Sequence, residues 1–123
     1  AFDIMKDLNI DHMADSYARE LSGGQKKLLE LGRSIINEPS ILLLDEPLAG
    51  VNPKLAEEIL SIIQKLSESG ITILMVEHNI EAVMKISERV VVLAEGAVIA
   101  DGSPENVRKD DKVIEAYLGS GNE

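Results

Sequence analysis

Three short stretches of this sequence carry side chains that could do chemistry on a phosphate. The first is Asp45-Glu46, directly after the apolar run Ile41-Leu42-Leu43-Leu44. Adjacent carboxylates behind a buried run are costly unless a cation is near. Mg2+ takes oxygen ligands and keeps several waters, so Asp45 alone suffices to hold it. Glu46 can then orient a water for attack on phosphorus. The plainer alternative is a polar strand end leading into a turn at Pro47. The second stretch is Leu21-Ser22-Gly23-Gly24-Gln25, at the head of a helical pattern. Gly23 and Gly24 let the backbone approach a ligand, and a helix start turns unpaired N–H groups and a positive dipole end toward it. Ser22 and Gln25 can add side-chain hydrogen bonds. The alternative is an ordinary cap with a Gly-Gly hinge. The third is Glu77-His78, after a second apolar run. His78 can donate to a phosphate oxygen or hold a carboxylate and water in register. A lone histidine at a strand end is ordinarily structural or exposed. It gains weight here if the two strands neighbour each other, which brings it beside Asp45-Glu46.

The remaining candidates carry less. His12 lies in a polar stretch and is given no role. Lys26 and Lys27 default to solvent. Met5, Met13, Met75 and Met84 are scattered and read as packing residues.

The elements that must position these groups follow from periodicity. Phe2 to Leu8 is helix-like but short. From Gln25 to Ile36 the apolar positions form a helical stripe, with Ser22 as N-cap and Asn37-Glu38-Pro39 as its end. Ile41–Leu44 and Ile71–Val76 read as strands buried on both faces, as in parallel sheets. Between them Asn52-Pro53 opens a helix, with Asn as cap and Pro at the first helical position, and Gly70 stops it. Ile80–Ile86 is a short amphipathic helix with Ile80, Val83 and Met84 inward. Val90–Leu93 is a third strand, turning at Glu95-Gly96 into Ala97–Ala100 as a hairpin. Ser103-Pro104 caps a short helix, and a last one covers roughly Lys112 to Leu118 before a flexible Gly119-Ser120-Gly121. Strand and helix alternate, which is the α/β pattern, and sites in such folds lie beyond the carboxyl ends of the strands.

Composition bounds the rest. The chain has 123 residues, and 12 Lys+Arg against 22 Asp+Glu give a formal charge of −10. That surplus of carboxylates disfavours a binder of nucleic acid or anionic membrane. Hydrophobic residues make up 45% and aromatic ones 2%, so the core must be aliphatic. The absence of Cys excludes disulfides and thiolate metal sites and fits a reducing compartment. No run approaches the roughly 20 apolar residues that span a bilayer. No signal peptide is expected, since Ala1–Ile10 lacks a basic start and a long apolar stretch.

Taken together and in this order, the motifs resemble the C-terminal half of an ATP-binding-cassette (ABC) ATPase. Leu21-Ser22-Gly23-Gly24-Gln25 is similar to the family's signature motif. Ile41–Pro47 is similar to its Walker B strand with the following glutamate. Ala49-Gly50-Val51-Asn52 stands where the D-loop belongs, and His78 matches the switch histidine. The resemblance implies an α/β fold of the P-loop NTPase type, a mostly parallel sheet with a terminal β-hairpin and the phosphate-loop half missing. It implies residues 1-40 as the end of a helical subdomain, 41-102 as the α/β core and 103-123 as C-terminal helices and tail. It further implies ATP and Mg2+ as cofactors. Asp45 would hold Mg2+, Glu46 would polarise the attacking water, and His78 would contact the γ-phosphate. Ser22, Gly23, Gly24, Gln25 and Asn52 would face ATP held by a second cassette in a head-to-tail dimer.

The pattern also departs from the family. No glycine belongs to a G-x-x-x-x-G-K-[ST] loop, Asn52 replaces the usual Asp, and Leu28 stands where many members carry a basic residue. The stretch Glu46–Pro53 and the tail Val113–Gly119 resemble the ATPase subunits of branched-chain amino-acid importers; the lipopolysaccharide-export ATPase is similar there too. The expected partners are transmembrane permease subunits, at the cytoplasmic face of the membrane. A soluble ABC ATPase of repair or translation and a non-catalytic α/β scaffold remain open alternatives. The 123-residue chain is expected to be inactive alone, for want of a phosphate loop, and to self-associate through uncovered sheet surface.

Overall fold

The computed structural model describes residues 1–118, which form two compact units, Ala1–Glu77 and His78 onward. The predicted stretch Gly119-Ser120-Gly121 lies outside the described residues.

The first unit starts with α1 (Phe2–Asp7) and two single 3-10 turns, Asp11–Met13 and Ala18–Glu20. Next comes α2 (Gly23–Ile35), which begins two residues before the apolar stripe because Ser22 caps it. Glu38, with a left-handed φ of 51°, turns the chain out of the helix. It then enters β1 (Ile41–Asp45), passes through α3 (Pro53–Glu68) and returns in β2 (Thr72–Val76). The strands pair in parallel, with Ile41 opposite Thr72 and Asp45 opposite Val76. This β–α–β arrangement is the α/β unit that the alternating pattern predicts. Its core is aliphatic, as composition requires: Leu8, Ile10, Leu28, Leu31, Leu42, Leu48, Ile59, Leu60 and Ile63 are all buried.

One expectation fails here. Neither β1 nor β2 is buried on both faces. Leu42 is 5% exposed, but Ile41, Leu43, Leu74 and Val76 are 57–69% exposed. A strand alternates its side chains, and α3 packs on β2 from one side. The in-register residues of the other face stay uncovered.

The second unit is built around a hairpin. After α4 (Ile80–Ile86), β3 (Val90–Ala94) pairs antiparallel with β4 (Ala97–Gly102). Among the described residues β3 bonds within this hairpin, as expected, and the parallel sheet holds two strands. The turn is Glu95-Gly96, with φ of 50° and 80°. Left-handed backbone at both positions is what a two-residue hairpin loop demands, and Gly96 supplies the second without strain. A bulge at Val92/Leu93 shifts the register. The short helices α5 (Pro104–Arg108) and α6 (Asp111–Val113), the latter running into a π-helical turn, Ile114–Leu118, complete the unit. Val90, Ala100, Val107 and Val113 form its core, with Val83, Met84, Val92 and Ile99 against them. Of the predicted inward residues Ile80, Val83 and Met84, the last two pack against this core and Ile80 is not part of it.

Across the hairpin, Arg89 donates two hydrogen bonds to the Asp101 carboxylate, at 2.8 and 2.7 Å. This fork holds the Asp101 carboxyl below its ordinary value of 3.8. A depressed acid stabilises the fold above its unfolded pKa, and that contribution is lost as pH falls through the folded value. Both groups are exposed, so the effect is small. Asp101→Asn should lower the melting temperature at neutral pH. The gap from the parent should close well below pH 3.8; a gap independent of pH would contradict the pairing.

The uncovered face of β1 and β2 makes a second expectation. Purified residues 1–123 should associate, and Leu43→Lys with Leu74→Glu should lower the mass seen by light scattering. A parent chain that stays monomeric at high concentration would contradict this.

Candidate active site

The register of β1 and β2 decides which residues meet. Because Asp45 lies opposite Val76, the next residues, Glu46 and Glu77, leave the sheet at the same end. The ladder continues one step, as Glu46 N–H donates to Val76 O at 2.8 Å. The chain then bends sharply: Glu46 has a left-handed φ of 45°. For a residue with a Cβ this costs about 1 kcal/mol, and such strain gathers where geometry is functional. The bend is held by Ala49 N–H on Glu46 O at 3.0 Å and by Lys27 Nζ, which donates to the same carbonyl at 3.4 Å. Leu48 N–H donates to Glu77 Oε1 at 2.7 Å. Both carboxylates of the Asp45-Glu46 pair are exposed.

Asp45 borders a cavity of about 230 Å3 together with Lys27, Glu30 and Ser34, over a floor of Leu31, Ile59 and Ile63. Among the described residues no three His, Asp or Glu side chains gather as a metal cage. Asp45 and Glu30 are the carboxylates on this cavity that could hold a divalent cation, whose shell water and phosphate oxygens would complete.

The signature-like segment is a capping box. Gln25 N–H donates to Ser22 Oγ at 3.2 Å, and Ser22 N–H donates to Gln25 Oε1 at 2.9 Å. The expectation that both side chains serve a ligand therefore needs refining. Their acceptor oxygens are engaged by the helix itself. What each can still offer is a donor, the Ser22 hydroxyl proton and the Gln25 amide NH2, and both suit an anion. Asn52 repeats the logic. It caps α3 by accepting Leu55 N–H on Oδ1 at 2.9 Å, so its NH2 is the group left to donate. The two glycines are not equivalent. A Cβ at Gly23 would stand in open space, whereas one at Gly24 would strike a Leu55 methyl. Gly24 lets α2 sit close to α3, whereas Gly23 stands clear of other elements and does not line the cavity that Ser22, Gly24 and Gln25 border.

These segments converge. Ser22, Gly24 and Gln25 line one cavity of about 460 Å3 with Gly50, Val51 and Asn52. His12, assigned no role from the sequence, lines it too, with Lys54 and Glu58. No pattern in the sequence marks His12, because only the packing of its 3-10 turn brings it there. Lys27 and Glu77 were also missed as contacts of the Glu46 bend. For Glu77 a signal exists: in a parallel pair, residues after equal-length strands emerge together. His78 opens the second unit directly after Glu77; it is exposed and precedes Asn79, which caps α4 by accepting Ala82 N–H at 3.1 Å.

Comparison with known proteins gives these features a family. The ABC transporter family model matches residues 1–49. A second model, the branched-chain amino acid ATP-binding cassette transporter, matches residues 97–122. The high-affinity branched-chain amino acid transport ATP-binding protein BraF of Pseudomonas aeruginosa is 43% identical over 94% of this chain and 46% of its own length. The lipopolysaccharide export system ATP-binding protein LptB of Escherichia coli is 36% identical over 97% of this chain and 49% of its own. Among solved structures, the ADP conformation of MJ1267, an ATP-binding cassette of an ABC transporter, superposes with a TM-score of 0.85. It is 40% identical, over 97% of this chain and 48% of that one. The chain thus spans about half the length of the relatives it matches. With both family models, the fold and the ordered motifs in agreement, the chain belongs to the ABC transporter ATP-binding family.

Proposed function

We propose that this chain supplies the signature, Walker B, D-loop and switch segments of an ATP-hydrolysing subunit that drives transport across a membrane. The observation that carries this reading is the single cavity shared by Ser22, Gly24, Gln25 and Asn52. Capping leaves the side chains of Ser22, Gln25 and Asn52 as donors, and the start of the 13-residue helix α2 adds N–H groups and a positive dipole end. Such a surface fits the γ-phosphate of an ATP molecule carried by a second cassette. In this reading Asp45 takes Mg2+, which when bound would screen the phosphate charge. Glu46 holds and polarises the attacking water, and His78 donates to the γ-phosphate.

The proposed partners are a second cassette subunit, head to tail, and transmembrane permease subunits. No helix of the described residues is long and apolar enough to cross a membrane. Membrane association at the cytoplasmic face would therefore come from docking to the permease. The favoured cargo is branched-chain amino acids, because residues 97–122 match the model of the branched-chain amino acid ATP-binding cassette transporter.

The test is ATP turnover in the assembled transporter. Glu46→Gln keeps the shape of the side chain and removes the charged oxygen. It should reduce kcat by about a hundredfold or more while nucleotide binding persists. Undiminished turnover would exclude Glu46 from this role. Failure to co-purify with transmembrane subunits would favour a soluble ABC ATPase instead.

A further inference from the structure

The bend after β1 has an amide whose partner must come from elsewhere. Within Glu46–Ala49, Glu46 N–H is held by the ladder to β2 and Ala49 N–H closes the turn on Glu46 O. Pro47 has no N–H. That leaves Leu48, a residue only 8% exposed, whose amide hydrogen bond is partly buried. A buried amide without a partner is costly, so some group has to accept it. Glu77 does so at 2.7 Å from 29 residues away.

The position of Glu77 is not accidental to the strand pattern. Along β2 the half-buried residues are Ile73 and Met75, and the alternation continues to half-buried Glu77. Its carboxylate therefore points to the helix-covered side, where Leu48 is buried. An ionised oxygen on an N–H makes a shorter and stronger bond than a neutral acceptor.

We infer that Glu77 is a positioning residue for the Asp45-Glu46 pair. Its carboxylate pins Leu48 N–H and so keeps the chain from relaxing out of the left-handed bend at Glu46. The inference rests on the reading of Glu46 as the residue that orients water. Glu77 touches neither phosphate nor metal in this scheme. It acts by holding the backbone that aims Glu46, while Lys27 holds the Glu46 carbonyl from α2.

The experiment compares Glu77→Met, which keeps length and loses the acceptor, with Glu77→Gln, which keeps an acceptor oxygen. Both are made in the assembled transporter, beside Glu46→Gln as reference. Glu77→Met should lower kcat for ATP by about tenfold with KM within about twofold, and Glu77→Gln should restore most of kcat. Leu48 amide exchange, read by mass spectrometry, should accelerate in Glu77→Met and stay slow in Glu77→Gln. If Glu46→Gln is inactive and Glu77→Met turns over like the parent, the inference fails while the active-site reading stands. If Glu77→Gln is as slow as Glu77→Met with Leu48 still protected, the hydrogen bond is not the cause and the inference also fails. If Glu46→Gln remains active, the active-site reading is what fails.

Discussion

The parallel pairing of Ile41–Asp45 with Thr72–Val76 is the constraint on which the rest of the first unit depends. Parallel strands of equal length, in register, release their next residues at the same end. That is why Glu46 and Glu77, 31 positions apart in sequence, can share one turn. Helix α3 supplies the crossover that makes the pairing parallel, and its apolar stripe of Ile59, Leu60 and Ile63 fastens the crossover to the core. The bend at Glu46 is strained, and it persists because the ladder, the Ala49 amide, Lys27 and Glu77 each restrict it from a different side. Removing the register would undo the ladder bond and the Glu77 contact, the two that join β1 to β2.

The second organising device is helix capping. Ser22 and Asn52 cap α2 and α3, and both caps line the same cavity. A cap satisfies orphan amides with an acceptor oxygen. What it leaves facing outward is a set of donors and the positive end of a helix dipole. The same hydrogen bonds that start two helices therefore prepare a surface for an anion. Stability and site chemistry are not competing demands on these residues, because they use different atoms of each side chain.

Element types were legible in the sequence because they depend on local patterning. The stripe after Gln25, the Asn52-Pro53 start, the Ile-Leu run and the Glu95-Gly96 turn each declare themselves within a few residues. The errors arose where a distant partner decides. An unbroken apolar run reads as buried on both sides, yet Leu43 and Leu74 are exposed, since burial needs a second layer that no run of four residues can announce. Gly24 reads as an approach for phosphate, and it also lets α2 pack against Leu55, 31 residues on, where a Cβ would clash. Lys27 reads as a solvated cation, yet it reaches the Glu46 carbonyl.

By itself the sequence determined the order of strands and helices, the aliphatic core, the caps and the family its ordered motifs resemble. These are properties of residue type and spacing of a few positions, which local sterics and hydrogen bonding enforce. The tertiary structure alone decided the strand register and which face of the sheet is covered. It also decided the meeting of the two caps at one cavity with His12, and the grip of Glu77 on Leu48. Those contacts join residues dozens of positions apart, and chain folding chooses them by burying one apolar face of each element against another.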